Sequence, residues 1–133
     1  MTDPVDRHLT AARALAEDTA LPDGVRAELV VHSCREALEA AAHQRFRRIR
    51  LDRGESHEDV EAALSRARKT HAKVALAVFD EHGRGGELYR RLNETLGGWA
   101  SNVLRACKNG ADAGTDLRRL VTNTGTLARW LTG

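Results

Sequence analysis

One long apolar pattern between residues 25 and 51 constrains the fold more than any other part of the chain. Apolar residues recur there at steps of three and four, which is the spacing of one face of an α-helix. They are Val25, Leu29, Val30, Cys34, Leu38, Ala41, Ala42, Phe46 and Ile49. The turn residues Pro22-Asp23-Gly24 precede the pattern, and Arg53-Gly54 closes it. The pattern therefore predicts a central helix from residue 25 to about residue 51.

Similar patterns predict one helix before the central helix and three after it. The first begins at Asp3-Pro4, because proline is tolerated in a first helical turn, and it ends before residue 21. The third begins at Ser56, paired with Asp59 in a near capping box, and runs to the glycine-rich loop at residues 83–86. The fourth begins near residue 87, and the last begins at Thr115.

Each of these helices has its own set of core-facing positions. In the first they are Val5, Leu9, Ala12 and either Leu15 or Ala16. In the third they are Val60, Ala63, Leu64, Ala67, His71, Val74 and Val78, and in the fourth Leu88, Leu92, Leu96, Trp99 and Val103. In the last they are Leu117, Leu120, Val121, Thr124, Leu127 and Leu131.

Composition favours helices over strands. Of the 133 residues, 41% are hydrophobic but only 4% are aromatic, and alanine and leucine dominate the apolar set. The length is that of one ordinary domain. We therefore predict an all-α protein, a compact bundle of four to five helices in a single domain over residues 1–133.

Charge and cysteine content bear on partners and compartment. The formal net charge is only +2, so nucleic-acid binding would have to come from a local patch. Cys34 and Cys107 lie on predicted apolar helix faces, which fits buried thiols in a reducing compartment. No apolar run is long enough for a membrane span, and the N-terminus lacks the pattern of a signal peptide. We expect a cytoplasmic protein that does not associate with membranes.

An arginine cluster lies at the end of the predicted central helix. It comprises Arg45, Arg47, Arg48 and Arg50, with Arg53 just beyond. These cations could contact the phosphates of RNA. They also suit the helix itself, because its macrodipole favours cations at the C-terminus and Glu55, Glu58 and Asp59 are near enough in sequence to pair with them. The sequence leaves both interpretations open.

Metal and cofactor chemistry have little support in the sequence. His32, Cys34 and His43 are suitable ligand types, but the side chains of His32 and Cys34 diverge by roughly 200° on a helix. There is no glycine-rich phosphate loop after a strand, no serine nucleophile elbow and no zinc motif. We predict neither a metal nor a cofactor.

Residues 99–114, WASNVLRACKNGADAG, run from an apolar helical pattern into a polar loop broken by glycines. Arg105, Lys108, Asn109 and Asp112 follow one another closely there. Arginine can hold a phosphate through two hydrogen bonds, and lysine adds a point charge. The same residues also suit a helix end, with Asn109 in the left-handed conformation and Asp112 starting the next helix. A phosphate site and a helix cap are both open.

Three of these features together resemble the HEPN superfamily. They are the bundle of four or five helices, the long alanine-rich second helix, and an element of the form Arg-x4-6-His between the penultimate and last helices. Residues 105–112, RACKNGAD, resemble that element at Arg105 and depart from it at Asp112, where the family has its acid/base histidine. The resemblance implies a metal-independent endoribonuclease of a toxin or anti-phage defence system. In that family a two-fold dimer brings two such loops over one RNA backbone.

The resemblance also implies roles and partners. Arg105 would bind phosphate, Lys108 and Asn109 would be auxiliary polar groups, and Asp112 would occupy the acid/base position. Partners would be a second copy, RNA, and a larger defence-system or antitoxin protein. Because aspartate is a weak base, with a pKa of about 3.9, we expect an enzyme only if residue 112 is histidine in the native form.

Three explanations of Asp112 are open. The chain could be a naturally inactive family member, a version disarmed by substitution, or a protein with no relationship to the family. A non-catalytic helical module that dimerises or docks on a larger partner is the alternative function.

Overall fold

The computed structural model describes residues 3–68 and 114–133, with side chains in the second range from residue 117 onward. These residues form four α-helices: α1 (Pro4–Glu17), α2 (Asp23–Asp52), α3 (His57–Arg66) and α4 (Gly114–Thr132). No strand occurs in the two ranges, so the all-α prediction is confirmed. None of the helices described in them is long and apolar enough to cross a bilayer. The helix predicted from residue 87 and the loop at residues 83–86 lie outside the described residues.

The helix ends follow local rules that the sequence contains. Asp3 caps α1, since its Oδ1 accepts a hydrogen bond from the Val5 amide at 2.8 Å. Ser56 caps α3 in the same way, its Oγ accepting from the Asp59 amide at 3.1 Å. After α2 ends, Gly54 has a φ of +89°, a left-handed backbone that favours glycine. These predicted ends are confirmed.

The core consists of two apolar clusters arranged along α2. The first joins α1, α2, α3 and α4 through Val5, Leu9, Ala37, Leu38, Ala41, Ala42, Phe46, Val60, Leu64, Leu127, Ala128 and Leu131. The second joins α1, α2 and α4 through Ala12, Ala16, Ala27, Val30, Val31, Cys34, Leu117, Leu120 and Val121. The start of α1 therefore lies beside the end of α4, and α1 is antiparallel to both α2 and α4. Alanines at the contacts let the helices approach closely.

The predicted core face of α4 is confirmed in full. All six of its predicted positions are buried, and Thr124 is buried among them with its hydroxyl donating to the Leu120 carbonyl at 2.7 Å. This bond satisfies a polar group that would otherwise be costly inside the core. The prediction for α1 is also confirmed, with Ala16 rather than Leu15 as the fully buried residue.

The predicted face of α2 is wrong at its beginning. Val25 and Leu29 are 45% and 40% exposed, whereas Ala27 and Val31 are buried. With 100° of rotation per residue, Val25 lies on roughly the opposite side of the helix from Cys34. The predicted set therefore combines residues from two faces of α2. The predicted turn at Pro22-Asp23-Gly24 is also wrong, because α2 already includes Asp23 and Gly24.

The third helix is shorter than predicted. It ends at Arg66, and Ala67 is extended, with φ −87° and ψ 93°. No glycine or proline marks this position, and Ala67 is buried there, so tertiary packing rather than helix propensity sets the end. The rest of the predicted third helix lies beyond the described residues.

Candidate functional site

The four residues of the predicted phosphate site lie outside the described residues. These are Arg105, Lys108, Asn109 and Asp112. What the structure describes is the helix that follows them, since α4 begins at Gly114, two positions after Asp112. Their predicted roles therefore stay predictions. Two groups of charged side chains lie within the described residues, namely the arginine cluster of α2 and the lining of a groove between α1 and α4.

Arg45, a predicted RNA ligand, is built into the core at the end of α4. It is only 8% exposed. Its Nη1 donates to the Trp130 and Leu131 carbonyls at 3.4 and 3.3 Å, and its guanidinium carbon lies 4.3 Å from the centre of the Trp130 ring. A cation at these carbonyls also meets the negative end of the helix dipole. The structure thus gives Arg45 a stabilising role in the bundle.

Arg48 lies one turn further along α2 and is exposed. Its Nη1 donates to the Thr132 carbonyl at 3.3 Å. Arg45 and Arg48 together therefore serve three successive carbonyls at the end of α4. This satisfies acceptors that have no partner within their own helix.

Arg47 and Arg50 form ion pairs with carboxylates. Arg47 forms a bidentate ion pair with Glu61 of α3, in which Nε donates to Oε1 at 2.6 Å and Nη2 donates to Oε2 at 3.2 Å. This hydrogen bond holds the pKa of Glu61 below its usual value. Arg50 Nη1 pairs with Glu55 Oε2 at 3.0 Å, as the helix-serving interpretation expected. RNA contact by any of the four arginines stays a prediction.

A groove between α1 and α4 contains charged residues that are distant from each other in the sequence. It encloses about 350 Å³ and is lined by Asp3, Val5, Asp6, Leu9, Arg13, Arg129 and Thr132. Its two walls come from opposite ends of the chain, so only the antiparallel packing of α1 against α4 assembles it. No local pattern would have indicated it.

The expected buried thiol is present, and no metal site is found in the described ranges. No group of three or more histidine, cysteine or acidic residues in residues 3–68 and 114–133 could hold a metal ion. Cys34 is 3% exposed. Burial raises the pKa of its thiol to about 11, and a hydrogen bond with Thr124 partly offsets the rise. Such a thiol is unreactive at neutral pH. Cys107 lies outside the described residues.

No family model matches this chain, and neither a curated protein nor a solved structure matches it.

Proposed function

We propose that the protein is an endoribonuclease-like protein of HEPN type, from a prokaryotic toxin or anti-phage defence system. With this sequence it would be inactive, because Asp112 replaces the catalytic histidine. The observation that supports the proposal is the position of α4. This helix begins at Gly114, directly after Arg105 to Asp112, and its apolar face is buried along its length. A last helix that starts at this point is what the resemblance requires.

The chemistry depends on the residue at position 112. A histidine with a pKa near neutrality can accept the proton of a ribose 2′-hydroxyl, while Arg105 stabilises the charge that develops on the phosphate. An aspartate is anionic at pH 7 and has a pKa too low for a good base. At about 4 Å it would repel a phosphate by about 1 to 4 kcal/mol. It would also neutralise Arg105.

Binding would use more of the molecule than this segment. Lys108 and Asn109 are the auxiliary polar groups of the proposal, and a two-fold dimer would place two copies of the site on one RNA. Of the four arginines predicted to bind RNA, only Arg48 is exposed, and it is the best placed to reach a phosphate, because Arg45 is already buried at the end of α4. A larger defence-system or antitoxin protein is the proposed regulatory partner, in the cytoplasm.

Substitution at position 112 tests the proposal. Asp112→His should produce cleavage of total RNA that leaves cyclic phosphate ends, that persists with chelator, and that makes expression toxic. Arg105→Ala in the same background should abolish cleavage and toxicity. Asp112→Asn is the matched control, since it removes the negative charge without supplying a base, and it should stay inactive.

A folded Asp112→His protein that leaves RNA intact would reject the nuclease proposal. The remaining candidate would then be a non-catalytic helical module for dimerisation or docking. One observation favours that second candidate, namely the apolar side chains of Val25 and Leu29 exposed one turn apart on α2. Under it, Asp112→His would change nothing about RNA.

A further inference from the structure

Two guanidinium groups from different helices, both of which line the groove between α1 and α4, lie within 4.0 Å of one point beside Gly125. The position that a β-carbon would occupy on Gly125 lies 3.5 Å from Arg129 Nη2 and 4.0 Å from Arg13 Nη2. Gly125 carries no side chain, so nothing from α4 itself fills the space between the two arginines. Arg129 is oriented by its Nε, which donates to the Gly125 carbonyl at 3.3 Å. Arg129 and Arg13 both line the groove.

Neither arginine is neutralised within the described part of the chain. Among the described residues, no carboxylate oxygen lies within 4.0 Å of the guanidinium nitrogens of Arg13 or Arg129. Both are exposed to solvent. This sets them apart from Arg45, Arg47 and Arg50 of α2, whose guanidinium groups are engaged by carbonyls or carboxylates of the protein. Two like charges that approach each other with no anion between them form a natural site for one.

The other end of the groove has the opposite charge. Asp3 and Asp6 lie in the first turn of α1, and Asp6 is seven residues before Arg13, or roughly 10 Å along the helix. Asp3 is already engaged by the Val5 amide and by Gln44 Nε2, at 2.8 and 3.2 Å from its Oδ1. The Asp6 carboxylate has no ion pair within the described residues. Between the two ends lies an apolar wall of Val5 and Leu9.

We propose that this groove binds a small phosphate monoester, with the phosphate between Arg13 and Arg129 and with hydroxyl groups of the ligand donating to Asp6. The two guanidiniums can donate several hydrogen bonds to one dianionic phosphate. The volume of about 350 Å³ is within the range of small-molecule sites. The separation of the charges along the groove selects a ligand with an anionic end and a hydrogen-bond-donating end. The groove as described is lined by residues of α1, α4 and Asp3, and its proposed ligand does not rest on the proposed nuclease function.

Calorimetric titration with inorganic phosphate, ribose 5-phosphate and ribose tests the proposal on the full chain. Ribose 5-phosphate should bind about tenfold more tightly than inorganic phosphate, and ribose should not bind. Arg13→Gln and Arg129→Gln should each raise the dissociation constant for ribose 5-phosphate about tenfold or more, since each removes charge-assisted hydrogen bonds. Arg7→Gln is the matched control, because Arg7 is an exposed arginine of α1 that does not line the groove.

Several results would overturn the proposal. One is the absence of binding by both phosphates at about 10 mM. A second is equal affinity in the wild type and in the Arg13→Gln, Arg129→Gln double variant, and a third is equal loss in the Arg7→Gln control. Tighter binding of inorganic phosphate than of the ester would overturn the assignment to a monoester. Both substituted side chains are exposed, so the variants should keep the helical circular dichroism of the wild type.

Discussion

Replacing Arg45 by alanine should destabilise the protein by about 3.5 kcal/mol. A hydrogen bond from a charged donor contributes about 1.5–3 kcal/mol. The two that Arg45 makes to α4 are long, at 3.4 and 3.3 Å, so we assign about 1.5 kcal/mol to both together. The contact with the Trp130 ring, at 4.3 Å, adds about 1 kcal/mol because the ring is half-exposed. Burial of the arginine stem adds a similar amount.

Urea unfolding followed by far-ultraviolet circular dichroism would measure this change directly. The midpoint should fall at an unchanged slope, and the melting temperature should drop by roughly 10 °C. Arg48→Ala is the matched control, because Arg48 is exposed and makes one bond to the end of the same helix, at 3.3 Å to the Thr132 carbonyl. We expect its loss to stay within about 0.5–1 kcal/mol.

Arg45→Met separates packing from charge. Methionine keeps most of the apolar stem but makes no hydrogen bond to the Trp130 and Leu131 carbonyls, so its loss should lie between those of the other two variants. The reasoning would be refuted if Arg45→Ala were no more destabilising than Arg48→Ala. It would also be refuted if Arg45→Ala weakened RNA binding while leaving the unfolding free energy unchanged, because the side chain would then serve a ligand and not the end of α4.

Two further predictions concern a glycine and a thiol. Gly125→Ala should raise the free energy of unfolding by about 0.5–1 kcal/mol, because glycine weakens a helix interior and the new methyl would meet Arg129 Nη2 at an ordinary 3.5 Å; a loss of stability in the urea assay would contradict this. For Cys34, burial raises the pKa of the thiol from 9.0 to about 11 in the folded state. The contribution of the neutral thiol to the free energy of unfolding is therefore complete below pH 9 and is lost as the pH rises through 11, at about 1.4 kcal/mol per pH unit. Urea unfolding between pH 8 and about pH 11 should show a steeper fall for the wild type than for Cys34→Ala, and equal slopes would exclude the effect.

The sequence predicted α1 and α4 well because each has a single apolar face. The buried residues of α4, from Leu117 to Leu131, fall at the helical spacing, and apart from Trp130 the residues at the other positions are polar or small. In α2 the sequence predicts Val25 and Leu29 as core residues, but both are exposed. The helix has apolar residues on two sides, so its apolar pattern does not define one buried face. Only the packing against α1 and α4 decides which side is buried.

The charged sites were predictable to different degrees. The clustering of Arg45, Arg47, Arg48 and Arg50 at a helix end was visible in the sequence, and so were the macrodipole and Glu55 as reasons for it. The burial of Arg45 under Trp130 was not visible, since the two residues are 85 positions apart. The convergence of Arg13 and Arg129 was hidden for the same reason, because it depends on how α1 and α4 pack and not on any local pattern.

The order of the helices along α2 has a consequence for synthesis on the ribosome. α1 and α2 are joined by residues 18–22 and can pair as soon as both have left the exit tunnel. Their shared apolar face, which includes Leu38 and Phe46, is covered in the finished protein by α4. At about 5–20 residues per second, the interval between translation of residue 52 and residue 131 is on the order of 4–16 s. During that time the nascent hairpin exposes to chaperones the surface that α4 later covers.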